Sequence, residues 1–230
     1  TVPVQPGGTV ALSGAGDETG RPPGVLANDY DADGDNLEAH WYLSPNHQGP
    51  QHGTITLWDP DGSFTYEPVS DFYGTDQFWY MAWDKDGYSD PVQVAITVIP
   101  VNDAPLGADR MVVVGHNGRF DFSTAGAVDF FGFSDPHDQT MTSGNNNFLS
   151  VVISNLSLPS GARLALNGEA VVNGAEIVVD DLDNLSFTPA AGGSGDNYAQ
   201  FSFQVRDDGG VERGGVDLDG TPKTLTFNVL

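Results

Sequence analysis

The sequence contains no cysteine, and only 8 of its 230 residues are lysine or arginine, against 32 aspartates and glutamates. The first absence excludes a disulfide scaffold and every thiolate metal site, while leaving the compartment open. The second gives a formal net charge of -24. Such a chain repels phosphate backbones and anionic lipid, so neither nucleic acid nor membrane insertion is expected. Long apolar runs are missing too, and none approaches the roughly 20 residues of a membrane-spanning helix. No amphipathic helical period stands out. There is no Gly-x-Ser-x-Gly elbow and no phosphate-binding glycine loop. Carboxylate pairs are so frequent here that finding one says nothing about glycoside hydrolysis. No enzyme is expected.

What remains is a turn-rich β pattern. Apolar residues make up 39% of the chain, enough to build cores, and 29 glycines and 15 prolines are interleaved with strand-like runs. In the first half these runs fall near 9–12, 37–43, 53–57, 63–67, 77–83 and 92–99. In the second half they fall near 111–114, 149–156, 163–166, 169–172, 176–179, 185–188, 199–205 and 224–229. Several alternate cleanly: Phe64 with Tyr66, Phe78 with Tyr80 and Ala82, and Val94 with Ile96 and Val98. Asp59-Pro60-Asp61-Gly62 and Asp84-Lys85-Asp86-Gly87 supply turn chemistry, and Asn167-Gly168 and Asn173-Gly174 read as hairpin turns. Phe64-Thr65-Tyr66-Glu67-Pro68 matches Leu185-Ser186-Phe187-Thr188-Pro189, while Phe78, Tyr80, Asp84 and Gly87 match Phe201, Phe203, Asp207 and Gly210. A repeat of that size predicts an all-β chain of two tandem antiparallel Greek-key β-sandwiches, 1–103 and 104–230. Pro100-Val101-Asn102-Asp103-Ala104-Pro105 is the stiffened joint between them.

The acidity itself has three readings: solubility, a halophilic origin, or carboxylates screened by divalent cations. The densest cluster, Asn28-Asp29-Tyr30-Asp31-Ala32-Asp33-Gly34-Asp35-Asn36, favours the last. Alternating aspartates in a glycine-containing loop place several hard oxygens near one point, as calcium requires with its six to eight oxygen ligands. It is not an EF-hand, because Tyr42 stands where the bidentate glutamate should be and no helices flank the loop. Further acidic sites fall at Asp17-Glu18, Asp84 with Asp86, Asn102-Asp103, Asp135 with Asp138, and Asp207-Asp208-Gly209. His47, His52 and His137 lack a second pair or a helix to align them, so they are read as solvated loop residues rather than zinc ligands. The strand from Phe78 to Trp83 carries aromatics on both faces, and one of those faces is open to packing or to sugar rings. Asn155-Leu156-Ser157 and Asn184-Leu185-Ser186 are glycosylation sequons.

Gly24-Val25-Leu26-Ala27-Asn28-Asp29, the aspartates after it, Gly62-Ser63-Phe64-Thr65-Tyr66, Asp71-Phe72 with Gly74, Asp76 and Phe78, and a closing Val101-Asn102-Asp103-Ala104-Pro105 resemble the bacterial cadherin-like repeats. Such repeats occur in very large secreted adhesins of the repeats-in-toxin type and in some polysaccharide-degrading surface proteins. The second half resembles the same superfamily through Leu185 to Pro189, Tyr198 to Phe203 and Asp207 to Gly210. The resemblance implies calcium at the domain junction, drawn from Glu18, Asp76, Asn102 and Asp103 on one side and Asp135, Asp138 and Asp207 on the other. Asp31, Asp33, Asp35, Asp84 and Asp86 are expected at the opposite pole, towards a preceding repeat. Pro100 in place of a further linker aspartate, and Ala199 opposite Asp76, point to one or two junction ions rather than three.

The implied function is a calcium-stiffened adhesive repeat, monomeric, secreted or on a bacterial cell surface, and cut from a longer extracellular chain. Its partners are then neighbouring repeats of the same chain. The alternative is a calcium-dependent carbohydrate- or peptide-binding module that engages surface glycans or another cell-surface protein. A ligand that binds only the native state adds RT ln(1 + [L]/Kd) of stability. Millimolar calcium should therefore raise the melting temperature and chelator should lower it. Superimposable melting curves in the two buffers would refute the calcium reading.

Overall fold

The computed structural model describes residues 2–4, 24–138 and 146–230. The chain forms two compact units, Thr1–Val101 and Asn102–Leu230. Asn102 and Asp103 thus belong to the second unit. The strand expected at 9–12 and the expected ligand Glu18 lie outside the described residues.

The first unit contains β1 (Val2–Val4), β2 (Glu38–Trp41), β3 (Gly53–Trp58), β4 (Phe64–Pro68), β5 (Gly74–Trp83) and β6 (Val92–Val98). They form a four-stranded sheet in the order β1-β6-β5-β2 and a two-stranded sheet of β3 and β4. Alternation sets what each strand buries. Phe64 and Tyr66 on β4, Phe78 on β5, and Ile96 and Val98 on β6 make the core, with Trp58 and Phe72 packed against it. Gly53 is required by close approach, since a Cβ there would strike the Tyr66 ring.

The second unit contains β7 (Arg110–Val114), β8 (Phe120–Asp121), β9 (Phe148–Ser157), β10 (Arg163–Leu166), β11 (Glu169–Ala170), β12 (Glu176–Val178), β13 (Leu185–Thr188), β14 (Gly195–Asp207) and β15 (Lys223–Val229). A five-stranded sheet, β12-β9-β14-β15-β7, faces a four-stranded one, β11-β10-β13-β8. The only α-helix among the described residues is the five-residue α1 (Ala127–Phe131). Between the sheets, Phe187 of β13 stacks on Phe227 of β15 with ring centroids 3.9 Å apart. Phe201, Phe203, Ile153 and Leu182 are fully enclosed around that pair.

Both units are the β-sandwiches that the alternation predicts, with two departures. The pairs β1–β6 and β7–β15 are parallel, while all other ladders are antiparallel. A first strand that joins its sheet beside the last strand can run in the same direction, because the rest of the unit serves as the crossover. The second departure concerns the turns. Asn167-Gly168 makes the expected β10–β11 hairpin, with φ of 51° and 84°. Asn173-Gly174 instead carries the chain from β11 in one sheet to β12 in the other. There the Asn173 side chain accepts the Leu156 N–H at 2.7 Å rather than closing a hairpin.

Phe227 is fully buried at the centre of the larger core, so truncating it leaves a cavity that stacked rings cannot collapse into. Phe227→Ala should destabilise the second unit by about 3–5 kcal/mol. Urea unfolding of the full chain, followed at the second unit's transition, checks this.

Candidate metal centre

The alternation of β14 buries Ala199, Phe201, Phe203 and Val205, and the same parity carries on to Asp207 at the strand's end. A strand does not change its inward side where its residues change character, so this carboxylate is aimed inward with only 1% of its surface exposed. The turn Asp135-Pro136-His137-Asp138 brings two more carboxylates, Asp135 and Asp138, with 5% and 0% exposure. Next to β14, Asp208 accepts the Asn147 backbone N–H at 2.7 Å and its Nδ2 at 3.0 Å. This fastens the entry to β9 and positions Asn146, whose Nδ2 donates to Asp138 Oδ2 at 3.0 Å. Asp138 Oδ2 also accepts the Asp103 backbone N–H at 2.8 Å. Asp207 Oδ1 accepts from Gly209 N at 2.8 Å and from Asn102 Nδ2 at 3.0 Å.

The unused oxygens are the informative ones. Oδ1 of Asp138 and Oδ2 of Asp207 are buried with no hydrogen-bond partner among the described residues, and neither oxygen of Asp135 has a well-formed hydrogen bond there, although the Asn146 amide and the Asp138 N–H lie close to it. The cations on the neighbouring strands are committed elsewhere: Arg206 to Glu176 and Asp217 at 3.0 and 2.6 Å, Lys223 to Asp219 at 3.3 Å. Burial pushes Asp207 up to about 6, with Asp135 and Asp217 adding repulsion. It likewise pushes Asp138 up to about 6, aided by Asp135 and Asp103. Asp135 moves in the same direction, burial outweighing the Asn146 amide and the Asp138 N–H, with smaller opposed effects from the Asp103 carboxylate and the His137 ring. Buried carboxylates are stable only when paired or coordinated. Buried carboxylate oxygens left without hydrogen bonds are hard donors of the kind calcium takes, and in that chemistry the residues present fit it.

The structure thus brings together Asn102, Asp103, Asp135, Asp138 and Asp207 of the expected ligands. Asn146 joins them unpredicted. A hydrogen-bonding side chain in a Gly-Asn-Asn-Asn stretch carries no signal of its own, and only the Asp208 anchor gives it a place.

Asp76 has a different setting. Its two oxygens accept from Gln51 N, His52 N, Tyr66 Oη and Gln77 N at 2.8–2.9 Å. Burial opposes its ionisation, but these four donors outweigh burial and hold it below the usual carboxylate range. Asp76 therefore acts as a staple for the loop before β3, its lone pairs already engaged. In the Asp31–Asp35 loop, Asp31 Oδ1 accepts from Asp33 N at 2.9 Å and Asp35 N at 3.0 Å, and Asp35 pairs with Lys85 at 2.8 Å. Asp84 Oδ1 accepts from Asp86 N and Gly87 N. Asp31 and Asp84 line one open cleft together with Asp29, a member of the acidic cluster that was not among the expected ligands and that accepts the Tyr80 hydroxyl at 2.7 Å. Asp33, Asp35 and Asp86 are not part of that lining.

The loop histidines are not merely solvated. His47 bonds Ser44 Oγ at 2.8 Å and lies edge-on to Trp79 at 4.4 Å, and His52 stacks on Phe72 at 4.3 Å. His40 packs against Trp83 and Tyr88. The outer aromatics of β5 thus find partners within their own unit.

Residues 1–100 match the family model of the bacterial cadherin-like domain. No curated protein matches the chain at a significant level. Among solved structures, it is similar to human protocadherin-24 EC1-2, at 14% identity and a TM-score of 0.48, over 87% of this chain and 84% of that one. It is also similar to Drosophila N-cadherin EC1-4, at 13% identity and a TM-score of 0.47, over 99% of this chain and 49% of that one.

The raised carboxylates fix the sign of a pH effect. Unfolded aspartate titrates near about 3.9, so between about pH 4 and 7 the native second unit holds protons on Asp138 and Asp207 that the unfolded chain has lost. In chelator, its stability should therefore fall as pH rises through that window. Asp208, lowered by its Asn147 bonds, acts only below it. Calcium, which needs the ionised ligands, should flatten or reverse the slope. Thermal melts of the second transition across this range check it, and a rising curve in chelator would contradict the assignment.

Proposed function

We propose that the chain is a calcium-binding tandem of cadherin-like units from a secreted or cell-surface bacterial adhesin, without catalytic chemistry of its own. The observation that carries this is the set of under-bonded oxygens on Asp135, Asp138 and Asp207, three buried carboxylates with no lysine or arginine ion pair among the described residues. The match of residues 1–100 to the bacterial cadherin-like domain supports the same reading.

Asp103, Asp135, Asp138 and Asp207 would hold the ion. Calcium supplies the positive charge that buried carboxylates lack, together with a demand for six to eight oxygens that draws separate loops to one point. Asp103 is the linker's contribution. Its backbone already rests on Asp138, so an ion bound there fastens the linker to the second unit. A fastened linker turns a flexible tether into a stiff one, which suits a repeat whose task is to hold a distant adhesive surface away from the cell. No helix among the described residues is long and apolar enough to cross a membrane.

Replacing a ligand carboxylate by its amide separates the two terms of this balance. Asp138→Asn and Asp207→Asn should weaken calcium binding at least about tenfold in calorimetric titration, because hard anionic ligands dominate calcium affinity. The same variants should melt higher than wild type in chelator, since each removes an unpaired buried charge. Asp180→Asn, on the exposed surface, should change neither. Unaltered calcium heats in Asp207→Asn would place the ion elsewhere.

A further inference from the structure

The linker side chain Asn102 sits differently from a metal ligand. Its Nδ2 faces three oxygens, Asp207 Oδ1 at 3.0 Å, Gly210 O at 3.1 Å and Val216 O at 2.9 Å. Only an N–H₂ group suits such a ring of acceptors, so the orientation of the amide follows from its surroundings. Its Oδ1 is engaged by Asn146 Nδ2, and its backbone carbonyl accepts the Val216 N–H at 2.9 Å. The floor beneath it is Gly209. A Cβ at that position would collide with Asn102 Oδ1 and Cγ, and one on Gly215 would come within 3.1 Å of Asn102 Cβ. Neither glycine has a positive φ, so backbone freedom is not what these positions need. They need the absence of a side chain.

We infer that Asn102 is a latch: its carboxamide docks into a glycine-floored slot of the second unit and holds the linker there without metal, presenting Asp103 to the buried carboxylates. The inference deepens the calcium reading by separating two tasks that the linker pair was expected to share. Asp103 binds the ion, whereas Asn102 is a positioning residue that spends its donors on carbonyls and on Asp207. The linker residues are therefore fixed on the second unit before calcium arrives, and the ion acts on residues already in place.

Asn102→Asp distinguishes the roles. A carboxylate in the slot would face Asp207 and two carbonyls with no hydrogen to donate, so a latch would open. A carboxylate at a ligand position would keep calcium or hold it more tightly. The measurement is amide hydrogen exchange of the full chain, in chelator and in calcium, at the Val216 N–H that binds the Asn102 carbonyl, with amides of β14 and β15 as controls for folding.

In wild type, Val216 should stay protected in chelator. Asn102→Asp and Gly209→Ala should each speed its exchange by about tenfold or more, as expected for loss of several hydrogen bonds, while the β14 and β15 amides stay protected. Calcium affinity should fall in both variants. If Gly209→Ala does not fold, Asn102→Asp decides alone. Loss of Val216 protection in wild type on chelation, or unchanged or tighter calcium binding by Asn102→Asp, would overturn the latch. If no calcium binds at all, the ion site fails, and the chelator arm still decides whether Asn102 holds the linker.

Discussion

At the end of β14 the inward face of a strand runs past the apolar core and continues as a carboxylate. Asp207 is committed to the interior by the same parity that commits Phe201, Phe203 and Val205, and the Asp135–Asp138 turn adds two more buried acids beside it. An ionised carboxylate moved out of water costs several kcal/mol unless charge or donors meet it. Here donors meet only part of the set, and four oxygens lack a well-formed hydrogen bond. The other features of this pole are arranged around that deficit. Asp208 ties β14 to the entry of β9, Asn146 reaches Asp138, and the linker enters between them.

Asp76 shows how the deficit could have been avoided. It is as buried as Asp135, yet four donors converge on it and it ionises more readily than an exposed aspartate. Asp138, with the Asp103 backbone N–H and one Asn146 amide, is pushed the other way. Residue type and burial are alike in the two places, and the number of N–H and O–H groups pointing inward decides the outcome. One buried carboxylate is saturated and three are not, and that contrast is what supports the proposed cation site.

The linker reads in the same terms. Asn102 uses an amide to satisfy carbonyls of the connection between β14 and β15, and Asp103 uses its backbone to satisfy part of Asp138. Two adjacent residues therefore serve the second unit's unpaired groups before any ion is considered. Proline on either side of them limits how the chain can enter and leave. Polar groups with no other partner thus fasten the linker residues to the second unit.

By itself the sequence determined the β class, the tandem of two sandwiches and the acidic residues from which the proposed ion site draws. These are local properties: alternation places Phe78 with Tyr80 and Phe201 with Phe203, and Asn167-Gly168 makes its hairpin from neighbours alone. It could not separate Asp76 from Asp207, because Asp76 is satisfied by Gln51 and His52, some 25 residues away in the chain. Nor could it find Asn146, or tell that Asn173-Gly174 crosses between sheets, or that His47 and His52 pack on aromatic rings. Only the tertiary structure decided those points. Whether a carboxylate is free to bind an ion depends on which distant backbone groups arrive beside it, and no pattern in its own segment records that.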